Sequence, residues 1–287
     1  MKRLTYAQAL NVGLHEEMAA DSRVVVFGED VASAGGRYGV TRGLLQRFGA
    51  LRIMDTPINE EIFVGIGLGA AVGGLKPVVE VLHSDFLRIS FDDLHRAALW
   101  RQLNSLTAAP TLLVRSTFGG YVKKGPELSG SSVAELLCIP ELKVLAPSSP
   151  RDAGDLLRGA LREGGVSVLL EHKALYNVSG EVEDGPMLPM GRSRLLRQGN
   201  DCLIITYSQM ARRALTVSDR LSERRGLHLG ILDLRTLAPI DWDGVLEATQ
   251  RVGKVVIAEE CPIGTGVADR IEVRIRRQFP SCHVETV

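Results

Sequence analysis

Residues 62–74 consist only of isoleucine, phenylalanine, valine, leucine, alanine and glycine. A helix of that composition has no polar face, so the fold is expected to bury it on nearly every side. It also needs a close neighbour, because Gly65, Gly67, Gly69 and Gly73 each cost about 1 kcal/mol against alanine in a helix interior. Tight packing by another helix, or by a second subunit, offsets that cost. The approach to the run is equally defined. A short strand over residues 52–54 stops at Pro57, and Glu60 and Glu61 open the helix. Glu60 is thereby placed at the edge of a core, where the helix dipole favours a negative charge.

The rest of the chain alternates. Residues 5–20 read as an amphipathic helix, 24–28 as a continuous apolar strand, 41–48 as a helix and 77–82 as a second apolar strand. Helices over 90–103, 133–138 and 150–162 alternate with strands from 111, 142 and 166. Residues 177–192 carry the turn-forming and acidic residues of a linker. A second alternation follows, with strands at 202–207, 228–233, 254–259 and 282–287 and helices at 210–224, 243–251 and 266–278. A chain of 287 residues exceeds one core, and the alternation implies parallel sheets. The expected fold is α/β, with two parallel-sheet domains at 1–176 and 193–287.

Lysine plus arginine equals aspartate plus glutamate at 34 each, so the charge favours neither nucleic acid nor an anionic membrane. Such a balance favours association. The first residues lack the apolar core of a signal peptide, since His15, Glu16 and Glu17 interrupt them, and the apolar run from 62 is too short to span a bilayer. A cytoplasmic protein is the expectation. Cys138, Cys202, Cys261 and Cys282 have no metal-binding spacing and read as reduced thiols, so neither a metal ligand nor a disulfide is assigned. Ligands of α/β sheets gather outside the carboxyl ends of the strands. That rule selects Glu29 and Asp30 after one strand, and His83, Ser84, Asp85 and Phe86 after another, near Glu60. The long loop from Gly119 to Ser132 is functional by its length.

Several segments, in order and spacing, carry a resemblance. They are residues 24–31 with Gly28, Glu29 and Asp30; Asp55, Thr56 and Pro57 with Glu60; residues 77–80; 142–148; 171–176; and 233–241. The set resembles the β subunits of thiamine-diphosphate-dependent 2-oxo acid dehydrogenases, from about residue 4 to the end of the chain. The resemblance implies a transketolase-like pyrimidine-binding domain, a linker and a transketolase C-terminal-like domain. It implies thiamine diphosphate as cofactor, with Mg2+ held mainly by an α-type partner subunit in an α2β2 assembly, and a lipoyl or other acyl-carrier protein as a further partner. By the same resemblance Glu60 bonds the pyrimidine nitrogen, Phe86 packs on the ring face and Glu29 contributes to the cofactor site. The Gly-Asp-Gly stretch that handles metal and diphosphate in this family is absent, so the chain is expected to supply half a site.

The sequence also departs from the pattern. The family loop carries a histidine held to assist acyl transfer to the lipoyl carrier, and the matching position here is Ser129, or Leu128 if the loop is shifted by one. His83 is the nearby imidazole on which that proton transfer is expected to fall, if any takes the role. Family members continue past the last strand with a proline-rich stretch and a helix, whereas Val287 follows directly here, so the second domain is expected to be short. Two other readings share these features: half of a split transketolase-like or acyloin-forming enzyme with a non-lipoyl acceptor, and a non-catalytic scaffold subunit.

Overall fold

A computed structural model describes residues 2–105, 108–123, 125–183 and 185–287. In chain order the elements are β1 (Lys2–Thr5), α1 (Tyr6–Ala20), β2 (Val24–Gly28), α2 (Leu44–Phe48), β3 (Ile53–Asp55), α3 (Glu60–Val72), β4 (Lys76–His83), α4 (Phe91–Leu103), β5 (Leu112–Phe118), α5 (Val133–Leu136), β6 (Lys143–Leu145), α6 (Pro150–Glu163) and β7 (Val166–His172). There follow β8 (Ser179–Val182), β9 (Arg194–Arg197), β10 (Cys202–Thr206), α7 (Ser208–Arg225), β11 (Leu229–Asp233), β12 (Thr236–Ala238), α8 (Trp242–Val252), β13 (Lys254–Ala258), α9 (Ala268–Gln278) and β14 (His283–Thr286).

One sheet has seven strands in the order β12-β6-β7-β5-β4-β2-β3, and a second has five in the order β14-β13-β10-β11-β9. Every residue of β2, β5 and β7 is buried, as expected of strands covered by helices on both faces. The period of two then divides each strand between two cores. Val24 and Val26 join the cluster containing Leu10 of α1 and Leu157 of α6, while Val25 and Phe27 join that containing Phe63 of α3 and Leu94 of α4. The second cluster runs on to Leu203, Ile205 and Ile257 of the five-stranded sheet, so the two sheets share a core.

Four short strands, β1, β8, β9 and β12, escaped the sequence reading. β12 and β9 each lie antiparallel at the edge of an otherwise parallel sheet. Within the expected linker, β8 pairs antiparallel with β1, Lys2 opposite Val182 and Thr5 opposite Ser179. Thr5 also caps α1 through a capping box with Gln8, which ends the strand and starts the helix in one step.

Because β12 comes from the C-terminal half yet pairs with β6, the halves are joined through the sheet itself. Arg235, fully buried just before it, donates to Asp152 Oδ1 of α6 (2.7 Å) and to the carbonyls of Leu188, Pro189 and Arg192. Asp233 accepts from Ser148; burial, with the Asp152 charge beside it, raises its carboxyl above the ordinary aspartate range.

The glycines of α3 serve different ends. A Cβ at Gly67 would lie 2.8 Å from Val79 Cγ2, so there the sheet presses on the helix, and at Gly65 it would meet the Asp93 carboxylate of α4 at 3.2 Å. Gly73 caps the helix. Gly69 meets nothing within 4 Å. It shares an outer face with Ile62, Ile66 and Val72, which are 58%, 55% and 45% exposed. The expectation of burial on nearly every side is therefore corrected for the single chain: one face is buried by its own sheet, and an apolar face is left uncovered.

Candidate functional site

The carboxyl end of β2 is where the chain brings its acids together. Gly28 lies opposite Asp55 of β3 and Glu80 of β4. Its φ is +149°, and a Cβ there would press into the Glu80 carbonyl, so only glycine lets the strand leave the sheet at this point. Glu29 and Asp30 come next. The loop beyond them is tied down at several places: Asp55 accepts from the backbone N–H groups of Ala32 (2.7 Å) and Ser33 (3.0 Å), Asp30 O accepts from Gly36 N (2.9 Å), and Thr41 Oγ1 donates to Val31 O (2.6 Å).

From the adjacent strand β3, Pro57 turns the chain and Asn59 caps α3 by accepting the Ile62 N–H at 3.2 Å. Glu60 is the first residue of the helix and is 7% exposed, whereas Glu61 is exposed. Among the described residues none donates a hydrogen bond to the Glu60 carboxylate, which leaves it available to a ligand. Glu29 is its neighbour in charge. Burial first, then the charges of Glu60, Asp30 and Glu80, raise the Glu29 carboxyl above the ordinary range. Glu29 Oε1 is buried and has no hydrogen-bond partner among the described residues.

Behind these acids runs a buried ionic strut. Arg115 donates to Glu80 Oε2 (2.7 Å) and, through Nε and a terminal nitrogen, to both oxygens of Glu171 (2.7 and 2.9 Å). Burial alone would lower the guanidinium's proton affinity, but the Glu171 and Glu80 charges outweigh it and hold the charge in place. Glu80 Oε1 accepts the Arg37 N–H (3.1 Å), and Tyr176 donates its hydroxyl hydrogen to Glu171 (2.5 Å). The sequence reading assigned no role to Arg115. An arginine directly following the apolar residues 112–114 of a strand was the available signal.

The other site candidates lie together one strand further along. His83, at the end of β4, is buried; its Nδ1 is 3.2 Å from Thr117 Oγ1 and its ring meets Phe86 edge to face at 5.9 Å. Phe86 is half-buried against the core shared with Phe63. The loop bearing Ser129 packs on this segment. Ser132 Oγ donates to Ser84 O (2.6 Å), and Gly130 lies so close to Asp85 that a Cβ would meet its carboxylate. Ser129 itself turns inward on the loop and donates to Gly125 O (2.6 Å). Glu29 and Glu60 thus form one group, and His83, Phe86 and the Ser129 loop another, at the carboxyl ends of the neighbouring strands β2 and β4.

Two residues missed in sequence fasten the loop. Lys173 is buried and donates to Gly119 O (3.2 Å) and Leu128 O (2.9 Å), its proton affinity lowered by burial. His172 adjoins Gly119, so His83 is not the sole imidazole near the loop. It is fully engaged: Nδ1 accepts the Ala174 N–H (3.1 Å) and Nε2 bonds Glu260 at 2.9 Å. Glu260, from the C-terminal half, also accepts the Gly120 N–H (2.7 Å). No local sequence pattern announces a pairing of residues so far apart.

Among the described residues no cluster of three or more His, Cys, Asp or Glu side chains is placed to hold a metal ion, and no helix is long and apolar enough to cross a membrane. The four cysteines are free.

Comparison with known proteins follows the same division of the chain. Residues 2–179 match the transketolase pyrimidine-binding domain family and residues 191–284 the transketolase C-terminal domain family. The chain is 37% identical over 263 residues to the 2-oxoisovalerate dehydrogenase subunit beta of Bacillus subtilis, covering 91% of this chain and 80% of that one. It is 33% identical over 289 residues to the acetoin:2,6-dichlorophenolindophenol oxidoreductase subunit beta of Cupriavidus necator, covering 96% and 85%. Among solved structures it is similar to a split-gene transketolase described as an inactive beta4 tetramer, with a TM-score of 0.83 over 99% of this chain and 89% of the other. At 18% identity that likeness concerns the fold.

Proposed function

The chain belongs to the β-subunit family of thiamine-diphosphate-dependent 2-oxo acid dehydrogenases, and from that premise we propose that Glu60, Glu29 and Phe86 hold the aminopyrimidine half of the cofactor. The observation that carries this reading is the acid pair: a buried Glu60 carboxylate that accepts no hydrogen bond among the described residues, beside Glu29 with a buried oxygen that likewise has no partner among them. A protonated aminopyrimidine nitrogen suits the first, and an acceptor on the ring or substrate suits the second.

Thiamine diphosphate supplies a thiazolium carbon that becomes a nucleophile toward a 2-oxo acid once its proton has passed to the cofactor's own aminopyrimidine. The residues of this chain govern that transfer. Glu60 would hold the ring nitrogen remote from the amine and, by sharing a proton there, would favour activation of the thiazolium carbon. Glu29, whose proton affinity is raised by burial and then by the Glu60 charge, offers a second carboxyl group to the same ring. Phe86 presents an apolar ring at the edge of the same sheet, excluding water from one side. The diphosphate and Mg2+ fall to the α-type partner, because this chain has no Gly-Asp-Gly stretch and no phosphate-cradling glycine motif.

The uncovered face of α3 fits self-association as β2 within an α2β2 assembly. Gly69 is the place to test it, since among the described residues nothing comes within 4 Å of a Cβ added there. Gly69→Leu leaves the single chain folded and shifts the assembly to smaller species in sedimentation, as added volume at a close contact costs roughly 1 to 3 kcal/mol per site. An unchanged sedimentation profile would remove α3 from the interface.

The second half-reaction differs from that of relatives with a loop histidine. The Ser129 hydroxyl does not titrate near neutral pH and is engaged with Gly125 O. The assembled enzyme is therefore expected to decarboxylate its 2-oxo acid, read with an artificial electron acceptor, and to acylate a free lipoyl domain slowly. Ser129→His raises the second rate by tenfold or so and leaves the first nearly unchanged. Wild-type acylation as fast as decarboxylation would instead point to His83, or to a residue of the partner.

A further inference from the structure

The loop between β2 and α2 begins with Glu29, and two adjacent residues at its far side grip the same buried structure by different means. Arg37 donates its backbone N–H to Glu80 Oε1 (3.1 Å). Tyr38 stacks on Tyr176, with ring centroids 4.0 Å apart and 12° between the planes. Tyr176 bonds Glu171, Glu171 pairs with Arg115, and Arg115 pairs with Glu80. The path returns to Arg37, so the contacts form a closed ring with the loop as one side.

We propose that Tyr38 is a positioning residue: by closing this ring it clamps the loop of residues 29–41 against the strut and fixes Glu29 beside Glu60. This rests on the cofactor-site reading of Glu29 and Glu60.

The backbone supports the assignment. Tyr38 has φ +56°, a left-handed conformation that bulky side chains adopt only when their surroundings hold them there. Tyr38 is still 39% exposed, so burial of its ring is not what holds it. The stacking partner is. Tyr176 is itself immobilised: it is 1% exposed, its hydroxyl is bonded, and Tyr6 meets its ring edge on at 5.7 Å. The loop cannot settle closer by other means, because Gly36 lies against Thr41 and the Glu80 carboxylate, and Asp30 O already accepts from Gly36 N. Glu29 precedes this turn directly. The groups that face it are the carboxylates of Glu60, Asp30 and Glu80, with the Arg115 charge spent on Glu80 and Glu171. Its distance from Glu60 therefore depends on how tightly the loop is drawn in.

The test uses the full chain labelled at glutamate carboxyl carbons, as wild type, Tyr38→Ala and Tyr38→Phe. In Tyr38→Ala the amides of residues 31–41 exchange at least tenfold faster while those of β5 and β7 are unchanged, and the Glu29 carboxyl titrates lower, toward an ordinary glutamate. Tyr38→Phe, which keeps the ring, matches wild type in both. With the α-type partner added, Tyr38→Ala weakens thiamine diphosphate binding severalfold and Tyr38→Phe does not. Wild-type exchange in Tyr38→Ala, a Glu29 titration unmoved by it, or a Tyr38→Phe variant that behaves like Tyr38→Ala would each overturn the proposal. A slackened loop and shifted Glu29 with unchanged cofactor affinity would confirm the clamp and tell instead against Glu29 as a cofactor residue.

Discussion

Glu60→Gln in the assembled enzyme lowers the rate of proton exchange at the cofactor's thiazolium carbon by about 10² or more, while folding and assembly are retained. Glutamine keeps the volume and the hydrogen-bonding capacity of the side chain but cannot exchange a proton with the ring nitrogen. The control is Glu61→Gln. Both residues occupy the first turn of α3, so a purely electrostatic role at the helix N-terminus would make the two variants alike. They differ in burial, with Glu60 at 7% exposure and Glu61 in solvent. Exchange measured by NMR with deuterated solvent separates the cases: equal losses would leave only the dipole, and no loss from Glu60→Gln would move the proton-sharing carboxylate elsewhere.

A second large effect belongs to Arg115. Arg115→Met removes the cation that pairs with both Glu80 and Glu171, which are buried, and destabilises the chain by about 3 to 5 kcal/mol in urea unfolding. Most of that loss is the burden of two unpaired buried carboxylates rather than the value of the ion pairs themselves. Adding Glu80→Gln and Glu171→Gln to the same chain therefore restores much of the stability. A loss below about 1 kcal/mol from Arg115→Met would mean that water or protons compensate the acids, and the strut would then be no anchor for the loop above it.

What could be read from the sequence was what depends on neighbours in the chain. The continuous apolar runs of β2 and β4 announced strands buried on both faces, and the strand-end rule then selected Glu29 and the His83 to Phe86 segment without knowledge of the sheet order. Pro57 and the apolar run placed Glu60 at a helix start, and the resemblance supplied its expected role. What escaped depends on partners far apart. β12 is three residues long and owes its existence to β6, and the Glu260 contact with His172 joins the two halves of the chain. The α3 glycines show the limit most plainly, since the composition demanded close neighbours at all of them. The structure supplies the sheet at Gly67, a carboxylate at Gly65 and nothing at Gly69. Likewise, nothing in the bare sequence marks Tyr38 as left-handed, because that strain is imposed by Tyr176 from the end of the domain.

The central claim is that this chain holds only the aminopyrimidine half of a shared cofactor site. Titration calorimetry with thiamine diphosphate and Mg2+ tests it most directly, on the chain alone and again with an α-type partner carrying the diphosphate motif. No tight binding to the chain alone is expected, and one cofactor bound per β chain once the partner is present. Tight, stoichiometric binding to the chain by itself would contradict it.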